Sequence, residues 1–491
     1  MKKIILSTLL VFLTFTIAIA QDYTTPNTGV TWTLDDIAAA SPTTITISGS
    51  NYTLLGNLNI AENDAVVIDS DLSLLIDAEK LITVFGAFTV DSNAVTITAL
   101  NEAAPYEGFR FEEFSEINIQ NATIQYGGGL RVLTETFSIN NCTLTNNVSG
   151  ATSSAVIQLS QGLPQITNNT ISFNENPAIG SAANSAVSAY IFNNMIEGNN
   201  TANSNRPQIN LGPTQAAEPL QIIQNTIIGD PALEQAGGIA IANFVGGDVN
   251  AEIRNNTING NRYGITILGP VNSMIIHENT IEDNNIQGDP ILGGSGININ
   301  TSTAGATVYI AVNDIRGNLW GITLQGLAKV NLGGEGNNEG HNRFSENGNN
   351  GQVYALYNNT PNTIMAKYNC WIDDGGQDPT LEEVEDVIFH MVDDPNLGEV
   401  VFDPVDCSLL GATDNTVDNF SFYPNPVKNE INFNNIFSFE KVEIYGIQGR
   451  LISLETISEG QQAVTVNLPS GLYFVNFSND SKIVTKKMIV E

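Results

Sequence analysis

The chain has 491 residues, of which 52 are Asp or Glu and only 18 are Lys or Arg, giving a net charge of -34. So strong a negative field repels nucleic acid and anionic lipid, and it repels polyuronates unless calcium or a local basic patch intervenes. The length suits about three average domains, or one long repetitive rod with attachments.

The elements follow in chain order. Lys2-Lys3, an apolar run from Ile4 to Ile17 and Ala18-Ile19-Ala20 read as a secretory signal over residues 1–20, cleaved before Gln21. No Cys follows Ala20, so a lipid anchor is not expected, and no later stretch is long and apolar enough to span a bilayer. Residues 21–42 read as an N-terminal cap, with a short helix starting within Thr31 to Ile37 to cover an open sheet edge. Cleaner strands follow at Thr44 to Ile47, Ala65 to Ile68 and Leu72 to Ile76.

A phrase then recurs. It stands as Asn121-Ala122-Thr123-Ile124, Asn141-Cys142-Thr143-Leu144, Asn168-Asn169-Thr170-Ile171 and Asn193-Asn194-Met195-Ile196, and continues through Asn255-Asn256-Thr257-Ile258 to Tyr368-Asn369-Cys370-Trp371. The steps run from roughly 20 to 34 residues, the range of solenoid repeats. A second phrase lies between, as in Gly238-Ile239-Ala240-Ile241, Gly264-Ile265-Thr266-Ile267, Gly296-Ile297-Asn298-Ile299 and Gly321-Ile322-Thr323-Leu324. Each coil therefore holds at least two short strands separated by turns, with the Asn tolerating a left-handed turn conformation. One coil cannot bury its own apolar face, but stacked coils place Ile over Ile and Asn over Asn. Amphipathic helices are excluded because Gly, Asn and Thr interrupt every stretch before three helical turns complete. The expected fold class is all-β: a parallel β-helix over 43–407, followed by a small β-sandwich.

The repeat ends near Trp371. Thr380-Leu381-Glu382-Glu383 is a capping box, and it predicts a helical lid around 380–391. Asp373, Asp374 and Asp378 cluster at the preceding turn and are calcium candidates, against the simpler reading of a solvated turn and helix cap. Of three cysteines, Cys142 reads as a small buried hydrophobe, while Cys370 and Cys407 flank the end of the rod and can pair. Residues 408–419 lack periodicity and read as a linker, and 420–491 alternate short strands with turns.

The C-terminal segment carries Tyr423-Pro424-Asn425-Pro426, Val442-Glu443-Ile444-Tyr445, Gly449-Arg450-Leu451, Ser470-Gly471-Leu472-Tyr473-Phe474-Val475 and a Lys486-Lys487 ending. In order and spacing these resemble the type A sorting domain of the type IX secretion system of Bacteroidetes. The resemblance implies a sorting signal carried by Pro424, Asn425, Pro426, Gly449, Gly471, Tyr473, Lys486 and Lys487, with the secretion machinery as partner. It also implies removal near the linker, and a mature protein that is released or held at the outer surface of such a bacterium. The repeats resemble right-handed parallel β-helix proteins of the pectate-lyase-like superfamily, which implies the fold and leaves the activity open.

Enzymes of that superfamily carry recognisable chemistry. The Gly-His-Gly and Arg-x-Lys phrases that accompany the Asp cluster of polygalacturonase-like hydrolases do not occur in this sequence. A uronate lyase needs a basic side chain and a cation to stabilise an enolate. Arg254, Arg262 and His277 are close in sequence and are the catalytic candidates, the alternative being exposed turn residues that keep the stack soluble. No cofactor beyond calcium is suggested. The favoured expectation is an extracellular binding or structural rod (adhesin-like or glycan-binding), with extracellular polysaccharide as partner. The alternative is a polysaccharide lyase or glycoside hydrolase. Function is expected where the repeat is broken, above all at the insertions Thr201 to Pro219 and Asp283 to Gly296.

Overall fold

The computed structural model describes residues 21–336, 338–373, 377–407, 422–424, 426–433, 439–446, 451–458, 461–479 and 483–490. The signal segment 1–20, Asp374, the linker 408–419, Asn425 and Gly449 lie outside them. The chain divides into two units, up to Leu410 and from Gly411 onward.

The first unit is a parallel β-helix. One strand from each coil enters a 14-stranded sheet that runs from Tyr23–Thr24 to Ile388–Phe389. The other strands of each coil form two further parallel rows. One contains Leu220–Ile223, Asn250–Arg254, Ser273–His277 and Val308–Ala311, and the other Thr226–Ile228, Thr257–Asn259, Thr280–Glu282 and Asp314–Arg316. In-register pairing stacks like on like: Ile239, Ile265, Ile297 and Ile322 form one column, all completely buried. Ile227, Ile258, Ile281 and Ile315 form another. Each such side chain contributes about 2 kcal/mol relative to exposure, and the column exists only because a neighbouring coil supplies the other wall.

The Asn phrase performs two jobs at two positions, which corrects the expectation that one Asn serves the turn. The first residue takes the left-handed conformation: φ is 58° at Asn168, 54° at Asn193 and 57° at Asn255, and also 58° at Gln224, 56° at Glu278 and 58° at Val312. Its identity is therefore loosely specified. The second residue is the buried one. Asn169, Asn194, Asn225, Asn256, Asn279, Asn313, Asn342 and Asn369 form a ladder in which both the backbone N–H and the side-chain amide of each donate to the Oδ1 of the next. The amide also donates to a strand carbonyl of the preceding coil, as Asn225 does to Ile191 at 2.9 Å. A buried carboxamide is thus satisfied at every step, which is the condition for burying one at all. Cys142 occupies the coil before Asn169. It is buried, and its sulfur accepts from the Ala122 N–H at 3.4 Å.

The N-terminal end is closed by a helix at Leu34–Ala40, opened by a Thr33–Asp36 capping box and burying Leu34, Ile37 and Ala38. Beside it Asp64 accepts the backbone N–H groups of Asn27, Thr28, Gly29 and Val30 at 2.8 to 3.2 Å. At the other end the capping box at Thr380 is present, but the helix spans only Leu381–Glu385. The expected lid over 380–391 is instead a connector into a further coil. Ile388–Phe389 pairs with Leu356–Tyr357, and Val400–Val401 with Ile364–Met365. A free strand edge next to a β-branched and aromatic run extends the sheet in preference to the helix. His390 locks this turn, its Nδ1 accepting the Val400 N–H at 2.9 Å while Nε2 meets Glu385 at 2.6 Å. Cys370 and Cys407 form a disulfide across 37 residues, which removes about 4 kcal/mol of unfolded-chain entropy in the loop-closure model.

The second unit is a β-sandwich. Phe422–Tyr423, Glu430–Phe433 and Ala463–Thr465 form one antiparallel sheet, and Leu451–Thr456, Lys441–Gly446, Gly471–Ser478 and Ile483–Val490 the other. Ile431, Phe433, Val442, Ile444, Val475, Phe477 and Met488 fill the space between them. No helix among the described residues is long and apolar enough to cross a membrane.

Candidate functional site

A walled cleft on the outer face of the 14-stranded sheet forms where a loop departs from the regular coil. Both insertions supply one, and they meet over the same patch of the 14-stranded sheet. Asn205 from the first, and Pro290, Ile291, Leu292 and Gly293 from the second, wall a cleft of about 470 Å³. Its floor is the outward row of three neighbouring strands: Thr266 and Leu268, then Ser295 and Asn298, then Trp320, Thr323 and Gln325, with Tyr357 one strand further.

The floor is a mesh of neutral hydrogen-bonding groups. The Thr323 hydroxyl donates to Asn298 Oδ1 at 2.9 Å, and the Asn300 amide to Gln325 Oε1 at 2.9 Å. One end is aromatic. The Trp320 ring lies 4.6 Å from Tyr354 and 5.0 Å from Tyr357, and Tyr357 stacks on Phe389 at 4.6 Å. Strand pairing dictates this run, because Tyr357 and Phe389 are register partners on adjacent strands. The Trp320 indole N–H donates to the Pro290 carbonyl at 3.0 Å, tying the loop to the floor.

Arg262 is buried beneath this loop. Its guanidinium donates to Asn205 Oδ1 and to the Leu292 carbonyl, so it staples the two insertions together. Gly293 packs closely there, since a Cβ would lie 3.0 Å from Arg262 Cγ. The phenols stay protonated: burial pushes Tyr263 up to about 12, and burial and then the neighbouring Tyr354 and Asp394 raise Tyr357. Among the described residues lining this cleft there is no carboxylate or imidazole.

The three residues singled out by sequence are split. Arg254 and His277 are register partners on adjacent strands of another sheet row, whereas Arg262 lies beneath the cleft of the 14-stranded sheet. Arg254 faces Glu252 at 3.4 Å. His277 borders a second cleft, of about 450 Å³, with Ile275, Tyr309, Asn338 and Glu339. Of the calcium candidates, Asp373 pairs with Arg343 at 2.5 Å, and Asp378 accepts the Cys407 N–H at 2.6 Å. Among the described residues no group of three or more His, Cys, Asp or Glu is placed to hold a metal ion.

Sequence reasoning missed the aromatic run. Trp320 precedes Gly321-Ile322-Thr323-Leu324, and the strand reading of that phrase alone places Trp320 two residues before Ile322. What the sequence withheld was the register that brings Tyr357 and Phe389 beside it.

In the sandwich, several residues of the expected sorting signal hold the unit together. Pro424 and Pro426 precede Val427, whose N–H donates to the Ile489 carbonyl at 2.6 Å, joining that turn to the final strand. Gly471 opens the strand that carries Tyr473, and the Tyr473 hydroxyl closes on the Pro469 carbonyl at 2.9 Å. Lys486 lies on the last strand, paired with Val475, and Lys487 is the register partner of Phe474. No curated protein and no solved structure matches the chain. Residues 421–491 match one family model, described as the secretion system C-terminal sorting domain. The chain is therefore a parallel β-helix that carries a C-terminal sorting domain for export by the type IX secretion system.

Proposed function

We propose that the exported β-helix is an extracellular glycan-binding rod, and that the cleft on the 14-stranded sheet is its groove. The observation that carries this is the aromatic run of Trp320, Tyr354, Tyr357 and Phe389 continuing a floor of amides and hydroxyls. Sugars present apolar faces that pack on aromatic rings and hydroxyls that pair with amides, so such a lining suits a pyranose chain. The groove's one cation is committed to the two loops, and the overall charge of -34 repels polyanions, so the fitting ligand is a neutral polysaccharide.

The test is calorimetry of the full secreted chain against neutral oligosaccharides chosen from a glycan array. Trp320→Ala is expected to weaken binding at least about tenfold, the equivalent of losing roughly 1.4 kcal/mol of ring contact. Unchanged affinity in that variant would sink the assignment of the groove. Incubation with the same polysaccharides checks turnover, and new reducing ends or unsaturated products would move the rod to the lyase or hydrolase reading.

A further inference from the structure

The second cleft is built differently. Ile275 and Tyr309 are register partners on adjacent strands, and both are unusually exposed for their type, at 43% and 44%. Side by side at the sheet's inter-strand spacing of about 4.8 Å, they make an apolar platform. His277 stands at its edge with Glu278 at 3.3 Å from Nδ1 and Glu339 at 3.3 Å from Nε2. A neutral imidazole has one N–H, so it can donate to only one of these carboxylates. The contact with hydrogen-bond geometry is the one between Nε2 and Glu339. Two carboxylates about one imidazole leave at least one net negative charge among the three groups. In either state the edge calls for a cationic donor. Arg254, the register partner of His277, has its Nε 3.4 Å from Glu252.

We infer that this cleft is a second ligand site, for a sugar bearing a free primary amine. The ammonium would sit against Glu339, donating to its carboxylate oxygen that His277 leaves free, while the pyranose face rests on Tyr309 and Ile275. The chain's strong negative field steers such a cation toward the rod. The site lies on a different sheet row from the neutral-glycan groove, and its argument stands without that groove.

The experiment uses the full secreted chain and calorimetry with a glucosamine tetramer and its fully N-acetylated counterpart. The free-amine form is expected to bind at least about tenfold more tightly, with a strong dependence on salt. Glu339→Gln should remove most of that preference, and Tyr309→Ala should weaken the free-amine form about tenfold. Both residues are on the surface, and circular dichroism confirms the fold of each variant. Both tetramers are also compared in Trp320→Ala, so that the neutral-glycan groove does not contribute to the difference. Equal affinity for the two tetramers, or an unaltered preference in Glu339→Gln, would overturn the inference. A lysine pentapeptide that competes as well as the glucosamine tetramer would overturn the assignment to a sugar.

Discussion

The rod contains two buried amide ladders, and they differ in one coil. The first runs through eight asparagines without interruption. The second runs through Asn147, Asn174 and Asn199, and then meets a coil with Asp230 where an Asn is due, since Thr226 to Asp230 aligns with Thr257 to Asn261. Gln208 fills the gap from the first insertion. Its Oε1 accepts from Asn199 at 3.1 Å, and its Nε2 donates to Asn261 at 3.0 Å, after which Asn284, Asn318 and Asn347 continue the ladder. The stack thus demands an amide at a place, and not a residue at a sequence position. A longer side chain can reach in where the repeat fails.

Breaking each ladder in turn tests this. Asn256→Ala leaves the Asn225 backbone N–H without its acceptor and removes the side-chain amide bonds to Asn225, Asn279 and the Ile222 carbonyl, and should cost about 3 kcal/mol. Gln208→Ala should cost about 2 kcal/mol, because Asn199 keeps its bond to the Ile171 carbonyl and Asn261 its bond to Asn284. Adding Asp230→Asn to that variant should recover about half, whereas the same change beside Asn256→Ala should recover nothing. Denaturant unfolding of the four proteins measures the comparison, and equal effects of Asp230→Asn in both backgrounds would show that Gln208 is not a substitute rung.

A smaller and pH-dependent effect belongs to the cap. Burial opposes the charge of Asp64, but the Thr25 hydroxyl and the N–H groups of Val30, Asn27 and Thr28 outweigh it and hold the carboxyl at about 2, below its usual 3.8. A depressed folded value means that the contribution is complete above about pH 4 and is lost as the pH falls toward 2. Hydrogen exchange at Thr28, Gly29 and Val30 should quicken across that window, beyond the intrinsic rate, in the native chain. In Asp64→Asn it should show no such step. The smallest change concerns the turn position. Val312 is a β-branched residue at φ 58°, and Val312→Asn should stabilise the rod by about 1 kcal/mol, read as a rise in Tm.

Much of this architecture was legible because a period of two within strands and a fixed phrase between them leave few alternatives. The phrase did not reveal which Asn turned and which was buried, since both stand adjacent in Asn168-Asn169 and Asn255-Asn256. The distinction appears only where the first position varies, as at Gln224, Glu278 and Val312. Arg254, Arg262 and His277 looked like one group because sequence distance around a coil says nothing of which face a residue takes. Arg262 lies in the corner that precedes a strand of another sheet. The insertions were legible as breaks, but their convergence on one patch depended on coil lengths that no single phrase encodes.

The disulfide between Cys370 and Cys407 closes a covalent ring around the last coil. Within that ring lie Ile388–Phe389 and Val400–Val401, the strands most exposed to peeling from the end of the stack. Any cut beyond Cys407 that frees the sorting domain leaves the ring whole. The rod can therefore shed the sequence that exported it without gaining a loose thread from which to unravel.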